Sequence, residues 1–295
     1  MKIQIAKNRS LQDMVRHIPF QQVADAVTKA CLEAATHLPK DVLDGIKKAM
    51  DNETNELGRD FLAQYLKNAK IAEETGLPLC QDTGFAVFFV EMGSMVVIDG
   101  GTVSEAITAG TERGYELGFL RKSIVDDPVF RRVNTRTNTP PIIHLTQVPG
   151  DRLSVILAPK GGGSENMSAV RMLKPSDGKT GVVNFVVETV RNAGGNPCPP
   201  TIVGVGIGGT MEKAALLAKR ALLRPLGQPN PDPRYAALEQ EILEKINATG
   251  VGPQGLGGDI TSLAVHIDFH PCHIASMPVA LNLNCHAARH AEVTL

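Results

Sequence analysis

The order of apolar and polar residues along the chain predicts a helical first quarter. Between residues 20 and 75, apolar residues recur three and four positions apart, the spacing that places side chains on one face of a helix. Two sets carry this pattern: Val23, Val27, Cys31 and Ala34, followed by Leu57, Phe61 and Tyr65. We therefore expect helices to dominate residues 20–75, with Cys31 as a small apolar core residue.

Strand patterns take over after residue 84 and then alternate with helical ones. FAVFFVEMG and MVVI precede a helix that starts near Thr102. The runs PIIHLTQV and RLSVILA flank the turn residues Pro149-Gly150-Asp151, which predicts a hairpin. Later strands (TIVGVGI, SLAVHI, PVALNLN) alternate with helices near 181–190, 210–223 and 235–246. The expected fold is α/β, with mixed sheets flanked by helices and a helical N-terminal quarter.

Length and composition fit one large folded domain or two modest ones. The chain has 295 residues, of which 43% are apolar, enough to bury a core. It contains no tandem repeat and no strong linker, although the Pro-rich turn at 225–233 is the best candidate for one. We therefore treat residues 1–295 as a single domain.

Charge and hydropathy exclude several classes of partner. Lys and Arg number 30 and Asp and Glu 31, so the overall charge gives no reason to expect nucleic acid or an anionic membrane surface. The N-terminus MKIQIAKNRSLQDMV lacks the apolar core of a signal peptide, and no stretch approaches the roughly 18 apolar residues of a membrane span. The expected location is the cytoplasm.

The motif GVGIGG, with glycines at 204, 206 and 209, matches the dinucleotide-binding pattern G-x-G-x-x-G between a strand and a helix. A nucleotide site also needs an acidic residue about 20 positions later, to bind the ribose. Arg224-Pro225 and the Pro-rich turn occupy that place. The favoured interpretation is that these glycines let a helix pack closely on a strand.

Three of the five cysteines lie at junctions between regular elements and loops. Cys80 lies in LCQDTG before a strand, Cys198 in NPCPP between a helix and a strand, and Cys285 in NCHAARH after a strand. Three thiolates leave one iron of an iron–sulfur cluster open to a substrate, whereas four close the cluster. The spacing alone does not decide the matter, because unrelated buried thiols fit it equally well.

Other candidate groups have local signals only. The glycine run KGGGSEN at 160–166 suits either a small carboxylate ligand or a structural turn. Arg121 follows a helix and suits either a bidentate carboxylate contact or a solvated surface position. Five histidines crowd the last thirty residues, but their spacing matches no zinc motif, so we reject a zinc site.

Taken in order, these motifs resemble a known family. CQDTG, PKGGGSENMS, CPPTIVGVGIGGTMEKAALLAKRALLRP, GPQGLGGD and HIASMPVALNLNCHAARH look like the α subunit of two-subunit class I (iron–sulfur) fumarate hydratases. The similarity covers nearly the whole chain from about residue 10. The α subunit of L-tartrate dehydratase is a close relative, and GGGSENMS with HIASMPV favours the fumarase pattern.

The resemblance implies roles for individual residues. Cys80, Cys198 and Cys285 would hold a 4Fe-4S cluster with one open iron, while Cys272 has no role. Gln81 and Asp82 would bind substrate, with Asp82 in the proton relay. Arg121, Gly162, Gly163 and His273 would contact the dicarboxylate, and His273 also counts as a catalytic candidate.

The expected activity is therefore hydration of fumarate to (S)-malate in the tricarboxylic acid cycle. The family's second domain would come from a separate β subunit, in an α2β2 heterotetramer in which the α subunits also dimerise. L-tartrate dehydratase or mesaconase is the alternative among enzymes. A cluster-free binding or regulatory subunit is the alternative of another class.

Overall fold

The computed structural model describes residues 15–295, so most of the segment on which the signal-peptide prediction rests lies outside the described residues. Chain contacts divide the protein into two compact units. Unit 1 contains the described residues up to Glu33, together with Phe85–Ala158 and Ala291–Leu295. Unit 2 contains Ala34–Gly84 and Pro159–His290. The prediction that residues 1–295 act as a single catalytic domain stays a prediction.

Unit 1 is built on two sheets and two long helices. Strand β1 (Arg16–Pro19) pairs in parallel with β3 (Val96–Asp99). A four-stranded sheet has the order β10 (Ala291–Thr294), β5 (Leu153–Lys160), β2 (Phe85–Gly93) and β4 (Ile142–Val148). Helix α1 (Phe20–Thr36) buries the predicted apolar residues Val23, Val27 and Cys31. Helix α4 (Val103–Leu117) begins at a capping box formed by Thr102 and Glu105, where the sequence predicted a helix start.

The predicted hairpin of β4 and β5 is wrong. Strand β2 lies between them in the sheet and pairs in parallel with β4. The turn residues instead cross the end of β2, where Gly150 accepts a hydrogen bond from Met95 N. Gly93 makes this crossing possible, because a side-chain Cβ there would lie 2.4 Å from the Gly150 carbonyl oxygen. The sheets are nevertheless mixed, as predicted.

Unit 2 contains the remaining helices and a second four-stranded sheet. Helices α2 (Lys40–Asn52) and α3 (Glu56–Thr75) complete the helical first quarter. Of the predicted apolar set in α3, Tyr65 is buried and Phe61 is half-buried, whereas Leu57 in the first turn is 49% exposed. The short helix α5 (Gly162–Glu165) precedes β6 (Ala169–Leu173) and α6 (Gly178–Ala193). The chain continues through β7 (Thr201–Gly208), α7 (Met211–Ala221), α8 (Pro233–Asn247), β8 (Ser262–His270) and β9 (Met277–Asn284).

The sheet of unit 2 brings the sequence motifs to one end. Its order is β6-β9-β7-β8, with β8 parallel and β9 antiparallel to β7, and β6 antiparallel to β9. The first residues of β6, β7 and β8 and the last residues of β9 therefore lie at the same end of the sheet. The loops there contain the glycine run, Cys198, GPQGLGGD and Cys285. We call this the cysteine end of the sheet.

The α/β fold class is confirmed, with its helical N-terminal quarter. The Pro-rich turn at 225–233 is not a boundary, because it lies within unit 2 between α7 and α8. Asp41 fixes the turn by accepting a hydrogen bond from Leu226 N at 2.7 Å. None of the helices in residues 15–295 combines the length and apolarity that a membrane crossing needs.

Candidate active site

The three junction cysteines interact at the cysteine end. Cys80, Cys198 and Cys285 are free and partly exposed, whereas Cys31 is buried, which confirms its predicted core position. Burial raises the pKa of the Cys198 thiol, and the charges of Cys285 and Cys80 raise it further. Burial likewise raises the pKa of Cys285, and Cys80 adds to that effect. Each of the three thiols therefore lies within the electrostatic reach of the others.

Hydrogen bonds join the loops that present these cysteines. The backbone N–H of His286 donates to the Cys198 carbonyl oxygen at 3.3 Å, and its ring Nδ1 lies 3.0 Å from the same oxygen. The His286 ring stacks on Tyr65 of α3, with ring centroids 3.7 Å apart. Burial lowers the pKa of His286 to about 4, so the ring is neutral at physiological pH. The turns of Cys198 and Cys285 are thus held to each other.

The GPQGLGGD loop supports the same turn. Gln254 N donates to the Pro199 carbonyl oxygen at 3.0 Å, and the Gln254 side-chain amide donates to the Tyr65 hydroxyl at 2.5 Å. On its other side, Glu53 accepts hydrogen bonds from Asp259 N and Ile260 N at 2.9 Å each. This glycine-rich motif therefore packs behind Cys198 as a scaffold.

Asp82 lies against the glycine run. Its Oδ2 accepts a hydrogen bond from Gly162 N at 2.8 Å, and its Oδ1 accepts one from Gly84 N at 3.1 Å. A Cβ at Gly161 would stand 3.5 Å from Asp82 Oδ2, and one at Gly163 would stand 3.4 Å from the Asn196 carbonyl oxygen. The backbone of this run does meet a carboxylate, as its composition suggests, but here that carboxylate is Asp82. Gln81 is exposed beside it, with Oε1 3.5 Å from Cys80 Sγ.

An ionic network with a buried lysine lies behind the glycine run. Lys160 is 6% exposed and donates to Ser164 Oγ at 2.7 Å. Glu165 pairs with Lys160 at 3.4 Å and with Lys219 at 2.6 Å, and it accepts a hydrogen bond from Asn282. Burial lowers the pKa of Lys160 to about 8. Burial acts to raise the pKa of Glu165, but Lys219 and Lys160 lower it overall. Lys160 also interacts electrostatically with Cys285.

A buried arginine completes the group. Arg289 is 5% exposed, and its guanidinium donates to the Asp82 carbonyl oxygen at 2.7 Å and to the Ala287 carbonyl oxygen at 3.3 Å. The sequence reasoning missed Arg289, Lys160, Glu165, His286 and Tyr65. The sequence signal for four of them is their place in two motifs. PKGGGSENMS contains Lys160 and Glu165, and NCHAARH contains His286 and Arg289.

His273 lies apart from this group, and Arg121 belongs to the other unit. His273 is exposed in the loop between β8 and β9, which crosses the far end of β7 next to Gly209. The eight residues of β7 span roughly 26 Å, so His273 stands at the opposite end of the sheet from Cys198 and Cys285. Arg121 is exposed in unit 1, after α4. Their assignment to the substrate stays a prediction.

The G-x-G-x-x-G motif is a packing feature, as the favoured interpretation held. A Cβ at Gly204 would stand 2.0 Å from the Ala218 carbonyl oxygen, and one at Gly206 would stand 1.9 Å from that of Ala214. Helix α7 therefore occupies the space in which the dinucleotide pattern would place a phosphate.

The three thiols fit an iron–sulfur cluster better than a single ion. Across residues 15–295, no three His, Cys, Asp or Glu side chains are spaced to bind one metal ion. A 4Fe-4S cluster makes a different demand, because each cysteine binds a different iron and the thiols stand further apart. Free, partly exposed and mutually interacting thiols are the soft donor set that such a cluster requires.

Residues 24–294 match the family model of fumarate hydratase (Fumerase). The chain belongs to this family. It is 45% identical over 275 residues to a Methanocaldococcus jannaschii protein provisionally named L(+)-tartrate dehydratase subunit alpha, covering 92% of this chain and 96% of that one. It is 36% identical over 270 residues to the L(+)-tartrate dehydratase subunit alpha of Escherichia coli UTI89, covering 88% of each. The Shigella sonnei protein of the same name is 35% identical over 270 residues.

Proposed function

We propose that this fumarate hydratase family member is the α subunit of an iron–sulfur hydro-lyase that interconverts fumarate and (S)-malate. The observation that carries the proposal is the meeting of three partly exposed thiols with Asp82 and the glycine run at one end of a sheet. Family membership supports a hydro-lyase, since the family model is that of fumarate hydratase and the relatives are named as subunits of a dehydratase.

Cys80, Cys198 and Cys285 would hold the 4Fe-4S cluster. When bound, a cluster with three cysteine ligands supplies an open iron that acts as a Lewis acid toward the substrate hydroxyl. The turns of Cys198 and Cys285 are already fixed to each other through His286, so these two ligands are positioned before any cluster binds. Such positioning reduces the ordering that cluster binding requires.

Asp82 is the proposed base. The proton removed from malate lies next to a carboxylate and is weakly acidic, so its removal needs a base at a fixed position. Backbone N–H groups of Gly84 and Gly162 hold one carboxylate oxygen each, which fixes the orientation of the group. Gly162 donates to the same carboxylate, Gly163 follows it in the chain, and Gln81 precedes Asp82; these three residues are the proposed substrate contacts of this segment.

Substrate carboxylates need further cationic partners. Arg121 and His273 are proposed for this role from the family resemblance, with His273 also a catalytic candidate. The β subunit is proposed to supply the remaining basic residues and a hydroxyl group for proton transfer. An α2β2 assembly with α–α contact, a cytoplasmic location and a place in the tricarboxylic acid cycle belong to the same proposal.

Anaerobic reconstitution with iron and sulfide, with and without the β subunit, tests the assignment. We expect the wild-type chain to gain cluster absorbance and to hydrate fumarate only with its partner. Cys80→Ser, Cys198→Ser and Cys285→Ser should each lose both signals. Cys272→Ser is the matched control, because Cys272 is exposed and its Sγ donates to the Ser276 carbonyl oxygen. Retention of cluster and activity by all three serine variants would show that the thiols are not the ligands.

L-tartrate dehydration is the second candidate, because the relatives at 45% and 36% identity carry that name. Turnover of fumarate, mesaconate and L-tartrate by the reconstituted complex distinguishes the candidates by kcat/KM. A preference for tartrate over fumarate would reject the fumarase assignment while leaving the hydro-lyase intact. A chain that takes up no iron under anaerobic conditions would favour a cluster-free binding or regulatory subunit.

A further inference from the structure

Arg289 has an unusual environment for a charged residue. It is 95% buried, as its 5% exposure implies, and its two hydrogen bonds go to the carbonyl oxygens of Asp82 and Ala287. Its Nε is also buried and finds no hydrogen-bond partner among residues 15–295. Arginine stays protonated in proteins, so Arg289 holds a permanent positive charge in this interior.

No carboxylate neutralises that charge. Within the part of the chain that the structure describes, Arg289 makes no ion pair with Asp or Glu. Arg224, an arginine of unit 2 whose side chain is 13% exposed, pairs with Glu239. A buried charge without a counter-ion is strongly unfavourable, because the lost hydration is not replaced. The environment of Arg289 is therefore suited to an anionic group that is not an Asp or Glu side chain.

The hydrogen bonds of Arg289 place its charge beside two of the cysteine segments. Ala287 lies two residues after Cys285, and Asp82 lies two residues after Cys80. A cysteine that binds a metal does so as the thiolate, so these segments present anions when iron is bound. Lys160, the other buried cation of this end, already pairs with a carboxylate. The carboxylate beside Lys160 is Glu165, which it shares with Lys219. Among residues 15–295, Arg289 is therefore the buried cation of the cysteine end that lacks an Asp or Glu partner.

The hydrogen bonds of Arg289 also join two of the cysteine segments. The Asp82 carbonyl belongs to the segment Cys80-Gln81-Asp82, and the Ala287 carbonyl lies two residues after Cys285. The planar guanidinium holds both through separate nitrogens, a geometry that lysine cannot reproduce. Arg289 thus fixes Cys80 relative to Cys285, as His286 fixes Cys198 relative to Cys285.

We propose that Arg289 is a positioning residue for the thiol-bound cluster: it supplies the counter-charge of the cluster and fixes the Cys80 and Cys285 segments to each other. This inference rests on the proposed function. The positive charge of Arg289 should raise the reduction midpoint of the cluster. Its two donor groups should slow the loss of iron from the cluster. The two effects are separable by substitution.

The test uses Arg289→Gln, which keeps a donor and removes the charge, and Arg289→Lys, which keeps the charge and removes the fork. The complex with each variant is reconstituted anaerobically, and the one-electron reduction midpoint with dithionite and the rate of iron loss to a chelator are measured. Arg289→Gln should lower the ratio of reduced to oxidised cluster at a fixed potential by about tenfold, which is about 59 mV for one electron. Arg289→Lys should keep the wild-type midpoint but lose iron at least tenfold faster.

Arg224→Gln is the matched control. It also removes a partly buried arginine from unit 2, so it should lower thermal stability while leaving the midpoint unchanged. If Arg289→Gln folds and keeps the wild-type midpoint, the counter-charge role is wrong. If Arg289→Gln does not fold, Arg289→Lys still decides, because an iron-loss rate equal to that of the wild type overturns the positioning role. A wild-type chain that takes up no cluster overturns the proposed function together with this inference, whereas unchanged variants of a loaded enzyme overturn the inference alone.

Discussion

Two glycine runs belong to the sheet β6-β9-β7-β8, and they meet different neighbours. Within β7, Gly204 and Gly206 face the backbone of α7, and close helix packing fills the space beside them. At the cysteine end, Gly162 donates to the carboxylate of Asp82, with Lys160, Glu165 and three thiols close by. One run serves packing, and the other lies among ionisable groups.

This difference shows that a glycine motif becomes informative only with its neighbours. Both runs follow or end a strand, and both have the composition of an anion site. The groups that distinguish them come from distant parts of the chain: Asp82 is 80 residues from Gly162. The chemistry of the cysteine end is therefore a property of the fold as much as of the motif.

The largest effect should come from the acid at the cysteine end. Asp82→Asn removes the proposed base but keeps the size of the side chain, so kcat of the reconstituted complex should fall about 10³-fold with little change in KM. Asp268→Asn, a partly exposed carboxyl on β8, is the control and should retain wild-type kcat. Equal activity of Asp82→Asn and the wild type at full cluster loading would remove Asp82 from the proton relay.

The sequence predicts the positions of the strands and helices better than it predicts which of them lie side by side. Strands and helices follow local periodicity, so α6, β7, α7, α8 and β9 appear close to their predicted positions. Strand order is a non-local property: β2 separates β4 from β5 although the turn between them looks like a hairpin. The bond between Arg289 and Asp82 joins residues 207 positions apart, and no local pattern reports it. The motif NCHAARH therefore contains Arg289 without indicating its partner.

The stability of the protein should be more sensitive to added volume at the β7 glycines that pack against α7. Gly206→Ala places a Cβ 1.9 Å from a backbone oxygen of α7, which cannot move as a flexible side chain would. We expect it to lower the free energy of unfolding in urea by about 3 kcal/mol. Gly163→Ala at the cysteine end has its nearest neighbour at 3.4 Å and should change stability by less than about 1 kcal/mol. The reverse order would mean that α7 does not pack as closely as described.

The cysteine end should also add a pH dependence to stability. Burial lowers the folded pKa of Lys160 from 10.5 to about 8, so between these values the unfolded chain binds more protons than the folded one. Stability therefore rises with pH over this range, by about 2 kcal/mol once water entry into the buried site is allowed for. Lys160→Met should abolish this rise in urea titrations of the reduced, cluster-free chain.

Lys179→Met is the control for this pH effect, because the Lys179 side chain is 65% exposed beside Glu241. It should leave the rise in place. Cysteine ionisation also affects stability at alkaline pH, so the informative quantity is the difference between each variant and the wild type at the same pH. A Lys160→Met chain with the wild-type pH profile would show that Lys160 is not held in a low-dielectric site.

The smallest effect should come from the scaffold behind Cys198. Tyr65→Phe removes the hydroxyl that accepts a hydrogen bond from the Gln254 amide, but it keeps the ring that stacks on His286. The expected loss is about 1 kcal/mol of unfolding free energy, because the partly buried Gln254 amide loses its acceptor and the Pro199 carbonyl loses a donor. Tyr235→Phe removes a hydroxyl from a ring stacked on Phe269 near the far end of the sheet, and it should cost less than half as much. Equal losses in the two variants would mean that the Gln254 contact does not hold the cysteine turn, and that the two ends of the sheet are supported alike.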